Sequence, residues 1–133
     1  EGDIFQANLS ICCKAKKSSD IPSIDLFEKL RELARVLGGA VGASRAACDA
    51  GWIDHNFQIG LTGKTVTPNV YLSFGISGAS QHMAGCSGSR NIVSINSDKN
   101  ANIFKDSKYG VVGDWNIVLP AFTAAARELV NEN

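Results

Sequence analysis

The sequence predicts an α/β domain: an open parallel sheet with helices on both faces. Three observations carry that expectation. Short apolar runs alternate with stretches whose apolar residues recur at helical spacing, the pattern of strands joined by helical crossovers. Connections rich in glycine and small polar residues fall where strands should end, the edge at which such sheets hold ligands. The 133 residues, 44% apolar and 20% charged, suffice for one domain with its own core.

Taken in order, "LSICCKA" (residues 9–15) reads as a short buried strand, and "KKSSD" after it as a polar loop. From Ser23 the period changes: Ile24, Phe27, Leu30, Leu33, Ala34 and Leu37 recur at helical spacing, with charge on the other face. Ser23 is a candidate cap, and Gly38 and Gly39 stop the helix. "AVGAS" is short and apolar, and "RAACDAG" reads as a brief helix ended by Gly51. "WIDHNFQIGLTGKTVTP" is mixed, a loop with one short strand around Phe57 to Ile59. "NVYLSFGI", rich in β-branched and aromatic residues, is the clearest strand. A helix follows from near Ser77 and ends by Gly85. "RNIVSIN" is another strand, residues 97–102 a loop, and "YGVVGD" the last strand. "WNIVLPAFTAAARELV" closes the chain as an amphipathic helix, with Pro120 early enough to bend it or reset its start.

Composition excludes several function classes. Thirteen basic and thirteen acidic residues give zero net charge, so nothing electrostatic argues for nucleic acid or an acidic membrane. No apolar run approaches the roughly 20 residues of a membrane span. No basic head followed by a long apolar stretch opens the chain, and its start on Glu1 suits a processed chain or an excised domain. Cys12, Cys13, Cys48 and Cys86 form no C-x-x-C pair and suit reduced, packed thiols. A metal site would need more histidine and clustered spacing, so none is expected.

The enzyme motifs fail on spacing. In "GLTGKT" only two residues separate Gly60 from Gly63, where a phosphate-binding P-loop needs four. "GISGA" carries Ala79 where a nucleophile elbow needs glycine, and His82 lies too close beyond Ser77 to serve as its base. No G-x-G-x-x-G fingerprint is present. What survives is a glycine-rich strand-to-helix turn, whose backbone could meet a ligand and whose free N–H groups could hold an anion. Each polar residue there has an ordinary reading by itself: Ser77 as a cap, His82 as a hydrogen-bonded buried histidine, Arg45 as surface, Asp114 as the cap of the last helix. Their joint placement in "GASR", "GISGASQH", "INSD" and "VGD", all at strand ends, points to one site assembled from four loops.

The stretches "AVGASRAACDAGW", "QIGLTGKTVTPNVYLSFGISGASQHMAG", "IVSINSDKNANIF" and "YGVVGDW", in this order and spacing, resemble the C-terminal flavin-binding domain of the electron transfer flavoprotein alpha subunit. The resemblance runs from about Leu26 to Pro120. It implies a Rossmann-like sheet of the NAD/FAD-binding type with FAD across the strand ends, residues 1–133 forming that domain without the family's N-terminal one. It implies an electron carrier rather than an enzyme, working as a heterodimer with a beta subunit and taking electrons from flavoprotein dehydrogenases. The compartment would be a bacterial or archaeal cytoplasm or a mitochondrial matrix.

Position by position, the resemblance implies that Ser44 and Arg45 lie at the isoalloxazine. Thr62 would bond near its reactive nitrogen, with Ile59, Gly60 and Leu61 lining the same loop. Ser77, Gly78, Ala79, Ser80, Gln81 and His82 would wrap the cofactor, His82 beside the pyrimidine carbonyl. Asn96 and Asp114 would serve the adenosine end, with Trp115 alongside.

Two departures from the family's text favour an alternative, a non-redox binding or assembly module that has lost FAD. The first strand is followed by "CKAKKSSD" instead of a glycine-rich "SGGRG"-like turn, leaving Lys16 or Lys17 to replace an arginine. Leu61 stands where a polar residue, often glutamine, is usual. A third reading, an NAD-dependent transferase on a related fold, would have Lys64 as its only obvious base.

Overall fold

The computed structural model describes residues 9–13 and 23–132. The order is β1 (Leu9–Cys13), α1 (Ser23–Leu37), β2 (Ala40–Ala43), α2 (Arg45–Asp49), a 3-10 helix (His55–Phe57), β3 (Val70–Phe74), α3 (Ser80–Cys86), β4 (Asn91–Asn96), a second 3-10 helix (Asn102–Asp106), β5 (Tyr109–Val112) and α4 (Trp115–Glu132). The strands form one sheet in the order β2-β1-β3-β4-β5, and every pairing is parallel. The expected open α/β sheet is therefore the observed one.

Its two faces follow from the period-2 alternation of the central strands. Tyr71 of β3 and Ile92 of β4 join Ile76, Met83, Cys86 and Ile103 in one core. Leu72, Phe74 and Ile95 point the other way, into a core with Leu26, Phe27, Leu30 and Leu33 of α1 and Leu119 and Ala126 of α4. The helical spacing of α1 thus buries one stripe, while Glu28, Arg31 and Arg35 stay in solvent. Leu30 and Leu33 are each 0% exposed, so burying each contributes about 1.5–3 kcal/mol. Gly38, at φ +68°, lets the chain leave α1, and the Gly39 N–H donates to the Ala34 carbonyl at 2.8 Å.

Two expected elements take other forms. Residues 57–59 are not a strand: the Asp54 carboxylate accepts the Asn56 N–H at 2.8 Å and caps a 3-10 turn, leaving only isolated parallel bridges, Ala43 with Gln58 and Ile59 with Lys64. The helix after β3 starts at Ser80 rather than near Ser77, and Ala79 precedes it without a side-chain cap. Pro120 does not reset the start of α4, which runs unbroken from Trp115. The expected loop and lysines of residues 14–20 lie outside the described residues.

Candidate functional site

Because the five strands among the described residues all run in one direction, their carboxyl ends share one edge. Ser44 follows β2 directly, Gly75–Ala79 follow β3, Asn96 ends β4, and Gly113–Asp114 follow β5. The four loops read from the sequence are therefore brought to the same side of the sheet. From β2 to β5 that edge crosses four inter-strand spacings, roughly 19 Å.

At the β2 end, Ser44 is buried and its hydroxyl accepts the Ala47 N–H at 3.3 Å, which starts α2. Arg45 is exposed, its Nε 3.4 Å from Asp49 Oδ2, while Asp49 Oδ1 lies 3.0 Å from His55 Nε2. The hydrogen bond from His55, followed by the charge of Arg45, holds the Asp49 carboxyl below its usual range.

Residues 58–64 form a compact loop bonded to both neighbours. The Ile59 N–H donates to Ala43 O at 2.9 Å, continuing the line of β2, and the Leu61 N–H donates to Gln81 O at 2.7 Å, reaching α3. Within the loop the Lys64 N–H returns to Gln58 O and the Gly60 N–H to Lys64 O. Buried Gln58 extends its amide to Thr62, Nε2 to Oγ1 2.8 Å, which leaves the threonine its own proton to donate. Leu61 is 70% exposed.

The loop after β3 is fixed by the segment after β4. The Ile103 N–H donates to Ser77 O at 2.9 Å, and Gly78 turns at φ +91° with the Ile103 backbone against it. This contact gives the glycine a packing reason besides access for a ligand. Ser77, Ala79, Ser80 and Gln81 are all exposed along the edge, and the Ser80 hydroxyl lies 3.3 Å from Gln81 Oε1. His82 turns the other way. It is buried, its Nε2 2.8 Å from the Tyr71 hydroxyl, the two rings tilted at 54°. Beside them burial pushes the Cys86 thiol up to about 11.

Asn96 stitches three loops together. Its Nδ2 donates to Ile76 O at 2.9 Å, its Oδ1 accepts the Asp98 N–H at 2.8 Å, and its carbonyl accepts the Gly113 N–H at 3.0 Å. Asp114 starts α4: its carboxylate takes the Asn116 N–H at 2.9 Å and its carbonyl the N–H groups of Ile117 and Val118. Trp115 is half-buried against the core that holds Leu72, Phe74 and Ile95. Arg45, Thr62, Ser77, Ser80, Gln81 and Asp114 therefore present polar groups on one edge, while Ser44, His82 and Asn96 lie buried behind them. The reading from sequence missed Gln58, whose signal was a lone amide directly before the "IGLTG" loop, and Ile103, whose backbone role leaves no trace in residue type.

Among the described residues no group of three His, Cys, Asp or Glu side chains could hold a metal ion. A groove of about 690 Å³ between α1 and the free edge of β2, lined by Glu28, Arg31, Arg35, Val41 and Phe57 among others, contains none of the predicted site residues.

The model of the electron transfer flavoprotein FAD-binding domain matches residues 19–87, more than half of the chain. An electron transfer flavoprotein subunit alpha of Bacillus subtilis is 54% identical over 109 residues, 82% of this chain and 34% of that protein. The subunit alpha of Thermoanaerobacterium thermosaccharolyticum is 45% identical over 142 residues, 97% of this chain and 43% of that protein. A mitochondrial subunit alpha of Arabidopsis thaliana is 49% identical over 100 residues, 75% of this chain and 28% of that one. The chain thus spans between a quarter and a half of the length of these relatives. The family model and these likenesses agree: the chain belongs to the electron transfer flavoprotein alpha-subunit family, through its FAD-binding domain.

Proposed function

We propose that this chain holds FAD along the carboxyl edge of its sheet and carries electrons from flavoprotein dehydrogenases to an acceptor, in a heterodimer with an electron transfer flavoprotein beta subunit. The observation that carries the reading is the gathering of the loops after β2, β3, β4 and β5 on one edge of a parallel sheet. The donor set there suits a dinucleotide: hydroxyls, an amide and a guanidinium for ring carbonyls and phosphates, and a carboxylate for ribose hydroxyls. An edge of roughly 19 Å gives an extended ligand room to lie across the strands.

When bound, FAD supplies reversible electron uptake at its isoalloxazine ring, which becomes negatively charged near N1 on reduction. The chain's own residues would bind and tune. Arg45 brings positive charge to the β2 end, and its pairing with Asp49 steers where that charge sits. Thr62, held by Gln58, donates its hydroxyl proton outward. Ser77, Ser80 and Gln81 supply hydrogen bonds at the middle of the edge, and His82, fixed by Tyr71, forms part of the floor beneath them. Asp114 would receive the adenosine ribose. No nucleophile or general base is needed, so the chain acts as a carrier rather than an enzyme.

A visible absorption titration with FAD, repeated with a beta subunit present, tests the reading. A flavin band that shifts and saturates is the expected result; free-flavin spectra in both arms would overturn it. Exposed Leu61, an apolar side chain on the same edge, favours the second reading, a binding or assembly module without flavin, which that negative result would put first.

A further inference from the structure

The face of the sheet that carries Tyr71 and Ile92 also carries a line of hydroxyls that the flavin reading does not use. Ser73 of β3 and Ser94 of β4 are register partners, and both are 0% exposed. Ser73 Oγ donates to Ser94 Oγ at 2.8 Å. Ser107, just past the second 3-10 helix, donates its Oγ proton to Ile103 O at 2.7 Å. Since that uses its one hydrogen, the 2.7 Å contact between Ser94 Oγ and Ser107 Oγ must be donated by Ser94. The line therefore runs in one direction, from Ser73 through Ser94 and Ser107 to the Ile103 carbonyl.

Ile103 passes the constraint on. Its N–H donates to Ser77 O at 2.9 Å, and its backbone lies against Gly78. A five-residue 3-10 helix has poor internal hydrogen bonds and little stability of its own. Alanines could fill the same volume, but they would not fix where that segment sits along the sheet. Buried hydrogen-bonded chains specify one arrangement in this way.

We propose that Ser94 and Ser107 are positioning residues: they set the 3-10 segment and, through Ile103, the Ser77–Gly78 loop at the candidate cofactor edge. The positioning is a property of the fold, whereas its consequence for FAD rests on the function proposed above.

The test uses the whole chain in three variants, Ser107→Ala, Ser107→Thr and Ser73→Ala. Amide hydrogen exchange at Ile103 needs no flavin and reads the positioning directly; FAD titration reads its consequence. Ser107→Ala is expected to speed exchange at Ile103 about tenfold beyond what its stability loss in urea accounts for, and to weaken FAD binding about tenfold. Ser107→Thr, which keeps the hydroxyl, is expected to restore both. Ser73→Ala leaves the steps from Ser94 to Ile103 intact, so its Ile103 exchange is expected to follow global stability alone. If Ser107→Ala does not fold, Ser107→Cys, a weaker donor, gives a graded form of the same readout. Equal exchange in Ser107→Ala and Ser73→Ala, each following global stability, would overturn the proposal. Wild-type protein that takes up no FAD would sink the flavin reading alone, with Ile103 exchange still deciding the positioning.

Discussion

Replacing Gly78 by alanine tests whether the candidate cofactor edge depends on contact between two loops. A Cβ at this position would lie 2.3 Å from Ile103 N, 2.7 Å from Ile103 Cα and 2.8 Å from the Asn102 carbonyl carbon. Ordinary contacts of this kind sit near 3.5 Å, so one loop must move by about 1 Å. The neighbours are backbone atoms, which cannot rotate away. Overpacking of this sort costs about 1–3 kcal/mol, and a left-handed φ of +91° adds about 1–2 kcal/mol for any residue with a Cβ. Against a typical stability of about 5–15 kcal/mol, the total lowers the melting temperature by on the order of 10 °C. The loop shift would also weaken FAD binding at least tenfold. Gly38→Ala is the control, because Gly38 has φ +68° but nothing within 4 Å of the added carbon. It is expected to lose only about 1–2 kcal/mol from the left-handed φ, with no packing loss and no loss of flavin affinity. Urea unfolding followed by circular dichroism measures the first quantity and flavin titration the second. A Gly78→Ala protein no less stable than Gly38→Ala would refute the packing argument.

Three further outcomes are expected. Asp114→Ala should lose about 1 kcal/mol as the cap of α4, whereas Asp114→Asn should keep the cap; reduced flavin affinity in both would assign the carboxylate a binding role beyond capping, read by parallel melts and titrations. Cys86 should stay unmodified by a thiol reagent at pH 8 in mass-spectrometric mapping of the native protein. Its thiol is raised from 9.0 to about 11 by burial, so the stability it contributes is complete below pH 9 and is lost as pH rises towards 11; an alkaline unfolding curve that Cys86→Ala leaves unchanged would contradict this. Arg127→Ala, which removes the exposed pair with Glu32 joining α4 to α1, should cost less than about 1 kcal/mol, and a larger loss in urea would mean that the pair is more than a surface contact.

The elements legible in the sequence are those whose pattern is local. The spacing of Phe27, Leu30, Leu33 and Ala34 is enough to place α1, and the β-branched and aromatic run at residues 70–74 to place β3. The loops at the strand ends were legible as a group because parallel topology obliges them to share an edge. What escaped was set by partners distant in the chain. Ser77 reads as a cap, but its carbonyl is taken by Ile103, and the left-handed turn at Gly78 delays the helix to Ser80. His82 reads either as part of the loop or as a buried, hydrogen-bonded histidine; the structure shows the latter, and its partner Tyr71, eleven residues earlier on β3, is what residue type alone does not name. Residues 57–59 have strand-like composition, and the short-range bond from Asp54 to Asn56 curls the preceding turn instead. Nor did the text of β5 disclose that Tyr109, Val111 and Val112 would remain in solvent on an edge strand.

The order β2-β1-β3-β4-β5 also sets when the candidate cofactor edge can come into being during folding. Ser44 and Asp114 belong to opposite ends of the sheet, and no short hairpin can pair neighbours in a parallel array. Each strand must close a long crossover before it gains a partner, which makes this topology slow to assemble. The edge is therefore complete only once β5 has docked on β4: until then Asn96 lacks the Gly113 N–H that ties the last loop to the others. In a refolding experiment, uptake of flavin would then report the completion of the sheet rather than any step before it.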